Sequence, residues 1–213
     1  MVDDFEGVDA ALSLGIGDDL TWDLEMASKG IHIYQFDHTI DPPAAAADQP
    51  HLHFYRTGIA GEDDSVRNLK TIGSVLADEM RMHRGDLILK IDIDGYEWDV
   101  FAGMPAAVLA RFRQICIEIH NPLARPSQRA RRARNLAVLR KLHAFFAPVH
   151  IHANNAGPVR RFFRLEVPKL LEITYVRRGA HAFVDSTESF PGALDVPNVA
   201  SKPEIPIGRI LRG

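Results

Sequence analysis

Apolar residues along this chain alternate between two rhythms. Some form short continuous runs, as buried strands do, and others recur three and four apart, as on a helix. Ala10 to Leu14 is a short apolar run that ends at Gly15-Ile16-Gly17. Residues 18–29 then read as a helix, with Asp18 or Asp19 near its start and Gly30 just past its end. Ile31 to Phe36 and His51 to Arg56 are strand candidates. The loop between them, Asp41 to Pro50, holds three prolines and four consecutive alanines. Asn68 to Arg81 has helical spacing, with Leu69, Ile72, Leu76 and Met80 on one stripe. Asp86 to Asp92 reads as a buried strand, and Tyr96 to Leu109 as a helix broken near Gly103-Met104-Pro105. Gln114 to Ile119 is a strand, Gln128 to Phe146 a long helix, Pro148 to His152 a short strand and Leu170 to Arg177 the last clear strand.

Strands alternating with helices predict an α/β domain with a mostly parallel sheet covered on both faces. Ligands of such open sheets bind beyond the carboxyl ends of the strands, where the strand order reverses. The domain is expected over residues 1–179. From Ala180 the periodicity stops, and Pro191, Pro197, Pro203 and Pro206 follow. Residues 180–213 therefore read as a tail, either a disordered end or an arm lying on the domain or on a neighbouring subunit.

Composition narrows the class. At 213 residues with 46% hydrophobic and 25% charged side chains, the chain suits one globular domain with a sizeable core. A net charge of −3 argues against a protein that holds nucleic acid by overall positive charge. One cysteine excludes an internal disulfide framework and a cysteine-based zinc cluster. No stretch reaches the roughly 18 apolar residues of a membrane span. The acidic start, Met-Val-Asp-Asp-Phe-Glu, is unlike a signal peptide, so the expected compartment is the cytoplasm.

The turn Ser13-Leu14-Gly15-Ile16-Gly17-Asp18-Asp19 joins a strand to a helix, and its glycines permit close backbone approach to a ligand. Asp37, 20 residues after Gly17, ends the next strand and can accept hydrogen bonds from both hydroxyls of a ribose. Together they suggest an adenosine-containing cofactor. A dinucleotide would need a third glycine where Leu20 stands and would set its pyrophosphate beside Asp18 and Asp19. S-adenosylmethionine carries no phosphate and is cationic at its sulfonium and amino groups, which an acidic turn suits. The plainer reading is that Asp18 and Asp19 cap the helix.

These residues resemble class I S-adenosylmethionine-dependent methyltransferases, in particular the FkbM-like group that methylates hydroxyls. The likeness runs from about Leu12 to Arg177. Its most specific stretch is Leu89-Lys90-Ile91-Asp92-Ile93-Asp94-Gly95-Tyr96-Glu97, followed by Val100-Phe101-Ala102-Gly103, with Asp94 where that group usually has Glu. Leu171-Glu172-Ile173-Thr174-Tyr175 is similar to the group's closing strand. The resemblance implies a Rossmann-like methyltransferase fold, a seven-stranded sheet whose last strand is antiparallel. It implies Asp37 on the ribose and Gly58-Ile59 beside the adenine. The cofactor contacts expected are Ser13, Gly15, Gly17, Asp18, Asp19, Asp37, His38, Gly58, Ile59 and Asp92.

Polar residues gather at the later strand ends. Lys90, Asp92 and Asp94 alternate, as do Glu118 with His120 and His150 with His152. Two chemistries suit them. Asp92, Asp94, Glu118 and His120 could hold a divalent cation, Mg²⁺ or another, that lowers the pKa of an acceptor hydroxyl. Alternatively His120 or His152 serves as general base, with Asp94 and Lys90 as further catalytic candidates. The structural alternative is an ion-paired network, Lys90 with Asp92 or Glu118. Arg125, Arg129, Arg131, Arg132, Arg134, Arg140 and Lys141 make a basic run. It reads as the solvated face of a helix whose buried stripe is Leu136, Leu139, Leu142 and Phe146.

The expected activity is O-methylation of a sugar, an oligosaccharide or a sugar-containing metabolite. The expected partner is that small-molecule or oligosaccharide acceptor. Nucleic acid is disfavoured, no membrane span is expected, and a homodimer is left open. The rival readings are an RNA methyltransferase using the arginine-rich helix, a non-catalytic cofactor-binding module and an NAD-dependent oxidoreductase.

Overall fold

The computed structural model describes residues 1–124, 127–162 and 165–209. Arg125 of the basic run and residues 210–213 of the tail lie outside them.

A seven-stranded sheet, mixed but mostly parallel, organises the chain. It is built from β1 (Val8–Leu14), β2 (His32–Phe36), β3 (Leu52–Tyr55), β6 (Asp86–Ile91), β7 (Phe112–His120), β8 (Phe146–Ala153) and β11 (Leu170–Arg177). Their order is β3-β2-β1-β6-β7-β11-β8. β1 pairs in parallel with both β2 and β6, so the order reverses beside it. β11 pairs antiparallel with β8, as the last strand of this fold should. Helices α1 (Thr21–Ser28), α2 (Ile72–Asp78), α3 (Glu97–Gly103), α4 (Ala106–Leu109) and α5 (Arg129–Phe145) connect the strands. Two small ribbons complete the fold: β4 (Gly58–Ile59) with β5 (Leu69–Lys70), and β9 (Val159–Phe162) with β10 (Leu165–Pro168).

The chain forms two compact units, and the boundary between Ile115 and Cys116 falls inside β7. In residues 2–115, Ala11, Met26, Ile31, Ile33, Leu52 and Ile88 form one buried cluster. Each large aliphatic side chain removed from water there contributes about 1.5–3 kcal/mol. β1 and β6, in the middle of the sheet, are buried on both faces, which explains their continuous apolar runs. The first residues are tied down too: Gln114 bonds the backbone of Val2 and Asp4, and Arg113 pairs with Asp4 at 2.6 Å.

Polar pairs serve both sides of β2. On one, Gln35 donates to Asp23 of α1 at 2.8 Å. Alternation sends His32 and Tyr34 to the other. There His32 Nδ1 lies 3.0 Å from His53 Nε2, and Tyr34 Oη lies 2.9 Å from His83. Burial, then the neighbouring imidazoles, hold His32 and His53 below the usual histidine pKa.

Three expectations shift. Asn68 to Arg81 is not one helix. Leu69 and Lys70 pair with β4, and α2 begins only after Thr71, whose hydroxyl accepts from the Ser74 amide. The first helix starts at Thr21 rather than at residue 18. On α5 the buried positions are Asn135, Val138 and Leu142, whereas Leu136 is exposed and Phe146 already belongs to β8. The buried stripe is thus rotated from the all-apolar one, and an asparagine sits on it.

In the C-terminal unit the segment after β11 lies against β8 and β11. Phe190 is buried and exchanges backbone bonds with Gly208, and Asn155 bonds the backbone of Val199, Lys202 and Pro203. These bonds join residues 190–208 to residues of their own unit.

Candidate functional site

A cleft of about 380 Å³ opens at the carboxyl ends of β1, β2 and β6, wholly within residues 2–115. This is the place the strand-order rule selects. Gly15, Phe36, Asp37, His38, Gly58, Ile59, Arg67, Asp92, Asp94 and Tyr96 are among its lining residues.

The wall after β1 depends on glycine. Gly15 has φ 73°, and a Cβ there would lie 1.7 Å from the Asp92 carbonyl oxygen. No other residue fits, so the turn after β1 can pack against the turn after β6. At Gly58 a Cβ would meet Leu69 at 2.5 Å and the His38 ring at 2.7 Å.

Asp37 ends β2 at 7% exposure and ties the turns together. Its Oδ2 accepts from the amides of Ile16 at 3.0 Å and Gly17 at 3.4 Å. Its Oδ1 accepts from the Thr39 amide at 2.8 Å and the Thr39 hydroxyl at 2.6 Å. Burial pushes its pKa up, but these bonds to the charged form outweigh it and hold the carboxyl below its usual value.

A second carboxylate shapes the turn after β6. Glu97 is 1% exposed, and its Oε1 accepts from the amides of Ile93 at 2.9 Å and Gly95 at 3.1 Å. This bracing holds Asp94 in a left-handed conformation, φ 55°, on the cleft wall. The final glutamate of the Asp94-Gly95-Tyr96-Glu97 stretch is therefore structural. The family resemblance includes this glutamate without implying a role for it. Its signal was the acid-x-x-Glu spacing before an apolar run, a helix-start pattern. Arg67, Tyr96 and Thr39 were also missed, because their places depend on the β4–β5 ribbon and on turns that periodicity does not reveal.

Of the residues expected at the cofactor, four lie outside the cleft lining. Ser13 is fully buried within β1 and does not line the cleft. Gly17, Asp18 and Asp19 are exposed and lie outside the lining. Asp19 instead accepts from the Thr21 amide at 2.9 Å and its hydroxyl at 2.6 Å, and these bonds lower its pKa. Neither acid is the N-cap of α1: that position is Leu20, and no side chain caps it. The acids that ring the cleft are Asp37, Asp92 and Asp94.

Lys90 pairs with the fully buried Asp23 at 3.4 Å and lies over the Trp22 ring. Its partner is on α1 rather than among Asp92 or Glu118, because alternation turns it to the helix-covered face, where an unpaired Asp23 would be costly. It does not line the cleft.

In the C-terminal unit, Glu118 and His120 alternate along β7 and bring a carboxylate oxygen and a ring nitrogen within 4.8 Å of each other. Asn154 Nδ2 donates to Glu118 at 3.0 Å. His152 lies on β8. It is 4% exposed, and its two nitrogens bond Glu172 at 2.9 Å and Glu204 at 3.1 Å.

No helix is long and apolar enough to cross a membrane among the described residues. No curated protein matches the chain. Among solved structures, the crystal structure of EvdMO1 is similar over 82% of this chain and 38% of that one, with 14% identity and a TM-score of 0.38. The chain thus spans well under half the length of that protein, and a likeness at this level carries no argument. Residues 9–145, well over half of the chain, match the profile of the Methyltransferase FkbM domain. The chain belongs to the FkbM methyltransferase family.

Proposed function

We propose that the chain binds S-adenosylmethionine in the cleft of residues 2–115 and methylates a hydroxyl of a sugar, an oligosaccharide or a sugar-containing metabolite. Family membership supports methyl transfer with S-adenosylmethionine as donor. The observation that carries the reading is the cleft itself, with glycine backbone on one wall and three carboxylates around it. Its residues fit the cofactor. Gly15 keeps one wall bare of side chains, Asp37 supplies ribose acceptors, and Gly58 and Ile59 offer a flat surface to adenine. Asp92 and Asp94 set negative charge where a cationic ligand gains from it. Ribose hydroxyls would compete with Thr39 and the turn amides for the same two Asp37 oxygens.

When bound, the cofactor supplies a methyl group already activated on a positively charged sulfur. The chain must then align an oxygen behind that methyl, which is worth about 7–11 kcal/mol for well-placed reactants. It must also take a proton. A divalent cation with Glu118 and His120 among its ligands would lower the hydroxyl's pKa. Without one, His120 is the base that this reading favours.

Calorimetric titration with S-adenosylhomocysteine tests the cofactor. Binding is expected, and Asp37→Ala should weaken it at least about tenfold through loss of charged hydrogen bonds. No binding to the wild-type chain would sink the reading. Incubation with the donor and a panel of oligosaccharides, read by mass, tests the acceptor. Loss of transfer in EDTA selects the cation; full activity in EDTA selects His120.

A further inference from the structure

The arm after β11 is held by a line of polar bonds, and at its centre is a group whose charge can be switched. Asn155, just past the carboxyl end of β8, is 4% exposed. It accepts from the Val199 amide at 2.7 Å and donates toward the carbonyls of Val199, Lys202 and Pro203 at 3.1–3.3 Å. Lys202 Nζ returns to the carbonyls of Asn155 and Ala156. His152, almost wholly buried, faces Glu172 from β11 and Glu204 from the arm. Asn198 donates to the other Glu172 oxygen at 2.7 Å. Further along the seam His150 bonds Asp195 at 2.8 Å, and its ring meets Phe190 edge-on.

A neutral imidazole donates one hydrogen bond and a cationic one donates two. With a carboxylate at each nitrogen, only the cation satisfies both. A neutral ring would leave a carboxylate facing a lone pair. We propose that residues 190–208 form a proton-controlled strap over the carboxyl end of β8, closed while cationic His152 bridges Glu172 and Glu204 and released as that charge is lost. Burial pulls the His152 pKa down, but the two carboxylates outweigh it and raise it above the usual 6.5. The sign follows. The bridge is complete below the unfolded histidine's pKa and fades as pH climbs through the raised one. Release would loosen the corner at Asn154, the residue that holds Glu118. The inference does not depend on methyl transfer.

Thermolysin cleavage of the folded chain tests it, with cuts near Leu194, Val196 and Ile205 followed by mass. Rates are normalised to a free peptide of the arm sequence, and cuts within residues 2–115 report general unfolding. The wild-type arm should be cut faster as pH rises from the unfolded histidine's pKa to the raised one, by at most about tenfold per pH unit for one linked proton, and the rate should level off above the raised value. Glu204→Gln, which alters only the arm's side of the bridge, and His152→Gln should both lose that slope. Asn155→Ala should be cut faster at every pH and keep the slope. A flat normalised profile for the wild type overturns the proposal, as does a variant at His152 or Glu204 that keeps the wild-type slope.

Discussion

The two units secure their turns with opposite chemistry. In residues 2–115, buried carboxylates collect backbone amides: Asp37 closes the turn after β1, and Glu97 closes the turn after β6. In the C-terminal unit a histidine collects carboxylates and an asparagine collects carbonyls. The histidines of the first unit are treated the other way as well, since His32 and His53 face imidazoles and resist protonation. Residue type therefore says little about how a site responds to pH. Burial lowers the pKa of His32, His53 and His152 alike, and only the two carboxylates at His152 reverse it.

Substitutions can break this contrast, and the largest effect belongs to Glu97. Glu97→Ala should cost about 3 kcal/mol in urea unfolding, because two turn amides lose a charged partner away from water. Lys90→Met comes next. It strands the buried Asp23 with Gln35 alone, which should cost about 2 kcal/mol, below the 3–5 kcal/mol of fully buried pairs because Lys90 is partly exposed. Binding of S-adenosylhomocysteine should survive in that variant; a loss of binding without a loss of stability would return Lys90 to the site.

A smaller effect separates the histidine regions. His32 and His53 have lowered pKa values, so the unfolded chain binds more protons than the folded one once pH drops below about 6.5. Stability should decline there by up to about 1.4 kcal/mol per pH unit for each linked proton. His53→Gln should flatten that decline in melting curves, and an unchanged slope would discount the cluster. The smallest effect is expected at Asp19. Asp19→Ala should cost about 0.5–1 kcal/mol as the loss of a helix-start acceptor and leave cofactor affinity unchanged. A marked fall in affinity would restore the acidic turn to ligand binding.

Asp19 also marks how far the sequence could be read. That Gly15, Asp37 and the Asp92-Asp94 stretch lie together was legible, because turns after parallel strands meet at one sheet end by topology, whereas Gly58-Ile59 came only from the family resemblance. The orientation of Asp18 and Asp19 was not, since a carboxylate two residues before a helix can face a ligand or its own backbone with equal local logic. Leu69 illustrates a different limit. It stands on a helical stripe, yet pairing with β4 satisfies its backbone earlier than the helix could.

The alternation of runs and stripes was enough by itself to place the α/β class, the seven strands of the main sheet and the neighbourhood of the cleft, though not the two small ribbons, because burial on both faces writes continuous apolar runs into parallel strands. Only the tertiary structure decided which polar groups meet. Lys90 was given to Asp23, Glu97 to the turn after β6, and His152 to Glu172 and the arm. Such pairings join residues tens of positions apart. They are set by strand order and by how the chain returns to the sheet, which no local pattern encodes.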